Sequence, residues 1–147
     1  MVSFETFYRS IEPLRDRIIE AQLFDFMYMS SERWSKISDI FFGIKVMTSR
    51  TSLVGNCKGM HHMIPNIIPP IDREYTLKFL IGNTNIKNDL AYEWQLMQNI
   101  ISDFFIPVAS DKAFQIEANR WMAMKNEYPW DTSIFKVVDN LIIGLKK

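Results

Sequence analysis

Apolar side chains recur at intervals of three and four along this chain, and nowhere do they alternate as a half-buried strand requires. After Ser30 and Ser31 come Trp34, Ile37, Ile40, Phe41, Ile44 and Met47. At 3.6 residues per turn these share one face of a helix. Phe4, Phe7, Tyr8 and Ile11 follow Ser3 in the same way. Pro13 either kinks that helix or opens the next, which carries Leu14, Ile18 and Phe26. Thr51 and Ser52 are expected to cap a short helix running through His62, and Asp72 another that Gly82 ends. Ile86, Leu90, Trp94, Met97, Ile101 and Phe104 or Phe105 predict a long helix stopped by Pro107. Ser110 is placed at the start of a helix through Trp121, and Asp131 or Thr132 at the start of the last, with Val137, Val138, Leu141 and Ile142. The expected fold is all-α, a single compact domain over residues 1–147 with seven or eight helices.

The length of 147 residues and a 48% hydrophobic content are enough for one core. No run approaches the apolar length of a membrane span, so no membrane partner is expected. The opening MVSFETFYRSIEP lacks the basic-then-apolar order of a signal peptide, which predicts a cytoplasmic location. One cysteine, Cys57, excludes a disulfide framework within the chain and a multi-cysteine metal site. Neither a metal nor a cofactor is expected. The formal net charge is zero, but its distribution is uneven. Between Ile40 and Asn88 stand Lys45, Arg50, Lys58, Arg73, Lys78 and Lys87 against Asp72 and Glu74. A basic segment of this kind attracts phosphate even on a neutral protein.

The stretch from Ser52 to Thr76 concentrates unusual residues: both histidines, Cys57, Gly55, Gly59 and the prolines at 65, 69 and 70. If its first part is helical, Lys58 and His62 lie four apart on one face, with His61 near it. Gly55 would let a ligand approach the backbone one turn earlier. The stiff Ile-Ile-Pro-Pro-Ile loop then carries Asp72 to a fixed place, and it permits Asp72 to face Lys58 across a cleft. Each residue also has an ordinary role. Lys58 suits a solvated helix, Asp72 an N-cap, His61 and His62 a buried and an exposed imidazole, Arg73 the surface and Tyr75 a cleft wall.

The pattern Lys58-x-x-His61-His62-x-x-Pro65, followed by Pro69-Pro70-x-Asp72-Arg73-x-Tyr75-Thr76, resembles a family of uncharacterised prokaryotic proteins. Its members share this stretch and a later Thr-Ser-x-x-Lys-Val-x-Asp-Asn, here Thr132 to Asn140. More remotely the segment is similar to the helix-hairpin-helix DNA glycosylases, where a Gly-containing hairpin holds DNA phosphate and a Pro-containing loop presents a catalytic Asp. That resemblance implies a divergent nucleic-acid-binding protein or enzyme, with DNA as partner. Leu53 to Lys58 would stand for the hairpin and its Lys, and Asp72 for the catalytic carboxylate. The paired glycines and the Thr-His that usually follows the Asp are not found here.

On this reading Asp72 would stabilise a cationic sugar, Lys58 attack it and His62 assist, while Gly55, His61, Arg73 and Tyr75 hold the ligand. Two other readings stand beside it. The aromatic content of 14% suits a non-enzymatic interaction or structural protein, a homodimer for instance. Alternatively, His61 or His62 could act as acid and base on a small ligand.

Overall fold

Among the described residues six helices begin in the same way: a Ser or Asp side chain accepts the N–H of the residue three positions on. A computed structural model describes residues 1–48 and 51–145. Among the described residues there are seven continuous helices and no strand. Helix α1 (4–21) starts on Ser3, and α2 (Ser31–Gly43) on Ser30. Helix α4 (73–81) starts on Asp72 and α5 (90–110) on Asp89. Helix α6 (Lys112–Ala123) starts on Asp111 and α7 (Ile134–Gly144) on Ser133. Each cap satisfies an N–H that would otherwise lack an intrahelical partner.

Helix α3 (Leu53–Met63) is the exception, because the Ser52 side chain makes no cap. Instead Glu93, 1% exposed on α5, accepts from the Ser52 and Leu53 N–H groups at 2.6 and 2.5 Å. A buried carboxylate is thus held at the positive end of a helix, where backbone donors and the helix dipole both favour it.

Several boundaries differ from the sequence expectation. Ile44 and Met47 lie beyond α2, which ends at Gly43. Ile86 precedes α5, because Asp89 supplies the cap and the helix begins at Leu90. The caps of α6 and α7 are Asp111 and Ser133, not Ser110, Asp131 or Thr132. Pro107 does not end α5. A wide π turn over Ile101–Phe105, in which the Ile106 N–H reaches the Ile101 carbonyl, precedes it. Widening the turn displaces the carbonyl that the proline ring would strike. Pro13 sits in a 3-10 turn, Glu12–Leu14, that kinks α1.

The helices close around one core. The second half of α1 packs on α2, α2 on α3 and α5, and α7 on α4, α6 and the end of α5. Phe41, Phe105 and Phe135 are fully buried, and the Phe135 ring lies 5.2 Å from Phe26 and 5.6 Å from Phe105. The proline-rich loop belongs to this core too, with Ile67, Ile68 and Ile71 at most 1% exposed. Among the described residues no helix is long and apolar enough to cross a membrane.

Candidate functional site

Helix α3 divides its unusual residues between two faces. Leu53, Asn56, Cys57, Met60 and His61 are buried, whereas Lys58 and His62 are exposed. Burial with Glu93 nearby pushes the Cys57 thiol up, so it stays protonated and inert. The four-residue spacing puts Lys58 and His62 side by side on the outer face.

The chain after α2 crosses this face closely. A Cβ on Gly55 would lie 2.5 Å from Met47 Cγ, and one on Gly59 3.1 Å from Val46 Cγ2. The Met47 and Val46 side chains lie close over Gly55, so a ligand reaching its backbone meets them as well. The two glycines serve the close crossing. Val46 is in turn held by the Val2 N–H, which donates to its carbonyl at 3.0 Å.

Beside this crossing opens a hollow of about 670 Å³. Lys58, His62 and Arg73 reach it, together with Thr51, Gly55 and Gly59, over a floor of Met1, Val46, Met47 and Val54. Among the described residues no carboxylate lines it. Arg73 is fixed there: its guanidinium donates to the Thr84 carbonyl at 3.3 Å and to Thr51 Oγ1. Neither Lys58 nor Arg73 has a carboxylate within ion-pair distance among the described residues. Arg50, counted in the basic segment, lies outside the described residues.

Asp72 is not among the residues lining that hollow. Its Oδ1 accepts from the Tyr75 N–H at 2.7 Å, and its own N–H donates to Thr76 Oγ1 at 3.3 Å. The structure thus brings Lys58, His62, Arg73 and Gly55 together but directs Asp72 elsewhere. The reason is the cap itself, in which an extended Asp72 must turn its carboxylate back over the first turn of α4. That turn is a π turn, Arg73–Leu77, with the Leu77 N–H on the Asp72 carbonyl at 2.9 Å. Tyr75 packs against the core and does not line the hollow.

A second polar group joins Thr76, Lys136 and Asp139. The buried Asp139 accepts from Lys136 Nζ at 2.6 Å and from Thr76 Oγ1 at 3.4 Å. Burial pushes the Asp139 carboxyl up, against the pull of Lys136, and the nearby Asp72 charge raises it further. His61 Nδ1–H donates to the Ile68 carbonyl at 2.8 Å, tying the proline loop back to α3. Burial lowers the tendency of His61 to protonate, against the opposing effect of that bond. Lys136 and Asp139 belong to the Thr132–Asn140 motif and Asp72 and Thr76 to the proline-loop motif, so the two motifs meet in the fold.

Glu93 was not singled out from the sequence, and Thr51, expected as a cap, instead holds Arg73 at the hollow. Glu93 sits at a core-facing position of α5, and a carboxylate there signals a buried donor to satisfy. Among the described residues no three His, Cys, Asp or Glu side chains are grouped as metal ligands would be.

Comparisons of the chain with family models, with curated proteins and with solved structures find no match.

Proposed function

We propose that this protein binds a phosphate-bearing organic ligand of nucleotide size in the hollow beside α3. One observation carries the reading: Lys58, His62 and Arg73 meet over an apolar floor in a hollow without a lining carboxylate among the described residues. A phosphate is attracted by the Lys58 and Arg73 cations and can hydrogen-bond to the His62 ring, and an apolar floor suits a flat ring attached to it. The volume of about 670 Å³ lies in the range of small-ligand sites. Arg73 is already held by Thr51 and Thr84, so little entropy is lost in ordering it on binding. His62, on the rim, is the candidate acid or base for any reaction there.

Nucleic-acid binding is the second reading, favoured by the basic excess between residues 40 and 88. It uses the same cations, but base excision also needs a carboxylate at the sugar, and Asp72 is engaged as a cap. Self-association draws instead on exposed Phe4, Leu23, Tyr28 and Ile116.

Calorimetric titration with AMP, ATP and a short DNA duplex, in the parent and in Lys58→Glu, separates these readings. The small-ligand reading expects saturable nucleotide binding that Lys58→Glu weakens about tenfold or more. Duplex binding that is tighter than nucleotide binding and falls steeply with salt supports the second reading. Absence of saturable binding to any of the three removes both, and light scattering of the same samples then reads self-association.

A further inference from the structure

The loop between α6 and α7 forms a second hollow, of about 320 Å³, that shares no lining residue with the first. Trp121, Tyr128 and Trp130 line it, with the Trp121 and Tyr128 ring centroids 6.1 Å apart. Trp130 is 75% exposed. Glu127 and Asp131 border the same space. Asp131 is 6% exposed, and its Oδ1 accepts from Asn140 Nδ2 at 2.6 Å. Lys125 contributes its ammonium to the Asp131 main-chain carbonyl at 3.0 Å and does not line the hollow.

Aromatic faces carry partial negative charge, and two carboxylates add full charge to the same space. An anion is repelled by both. A neutral apolar ligand gains nothing from the carboxylates. We propose that this hollow binds an organic cation of the quaternary ammonium class, presented either by a free small molecule or by a methylated lysine side chain. The methyl groups pack on the rings while the spread charge is balanced by Glu127 and Asp131. A compact primary ammonium would lose more hydration on entry than rings can return, so methylated cations are preferred.

The test uses the full chain and tryptophan fluorescence, since Trp121 and Trp130 both border the site. The probes are choline, its neutral isostere with a tert-butyl group in place of trimethylammonium, and two copies of one peptide, with lysine and with trimethyl-lysine. Choline or the trimethylated peptide should bind at least about fivefold tighter than its uncharged or unmethylated counterpart. The peptide binding the tighter of the two assigns the cation to a protein, and choline the tighter to a metabolite. Trp130→Ala and Glu127→Gln change exposed side chains and should each weaken binding about fivefold with the melting temperature unchanged. If neither choline nor the trimethylated peptide binds tighter than its own counterpart, the proposal is overturned.

Discussion

Glu93→Ala tests how the helix that bears the basic hollow is held. Both N–H groups at the start of α3 depend on one carboxylate forty positions away in sequence, because the Ser52 side chain does not cap. The Leu53 N–H is buried, so losing its acceptor should cost about 2–3 kcal/mol. The Ser52 N–H is partly buried and water can recover part of its loss, leaving about 1 kcal/mol. Glu93→Ala is therefore expected to destabilise by about 3–4 kcal/mol. Glu93→Gln keeps the volume and one carbonyl acceptor but loses the charge, for a loss of about 1–2 kcal/mol. Urea unfolding reads both, with a midpoint shift near 2 M for alanine at a slope of about 2 kcal/mol/M. The melting temperature should fall by about 10 °C. An alanine variant within about 1 kcal/mol of the parent would refute the idea that a remote carboxylate anchors α3.

Three further outcomes follow from particular contacts. Asp72→Ala should cost about 1 kcal/mol and Asp72→Ser much less, because Ser can also accept from the Tyr75 N–H; a large loss in both, read by urea midpoint, would mean the carboxylate does more than cap. Gly82, at φ +71, should lose about 1 kcal/mol on change to Ala although nothing lies near its Cβ, whereas Gly144→Ala should be neutral or stabilising. The folded state disfavours protonation of His61, so below the unfolded pKa of about 6.5 the unfolded chain holds more protons and stability falls with acid. Asp139 acts in the opposite sense: its raised carboxyl lets the folded state take up a proton first, so stability falls as pH rises through that window. Urea midpoints at about pH 7 and about pH 5.5 should therefore differ less in His61→Gln than in the parent, and equal differences would count against a buried neutral His61.

Helix identity was legible in the sequence because it depends on neighbours. The spacing of Trp34, Ile37, Ile40 and Phe41 selects α2, and Ser3, Ser30 and Asp72 cap across three positions. Gly82 stops α4 by the same local logic. The pairing of Lys58 with His62 was legible too, since four residues make about one helical turn. Pro107 was misread because its compatibility with α5 depends on the π turn before it.

Tertiary structure decided which charges meet. No local rule tells Arg73 to join Lys58 and His62 while Asp72, one residue earlier, turns over the first turn of α4. Nor could local spacing pair Glu93 with the start of α3, or bring the proline-loop and Thr132–Asn140 motifs together at Thr76 and Asp139. Caps and helical faces are set by interactions within a few residues. Hollows and buried charges are set by how whole helices pack, and that is a property of the folded chain.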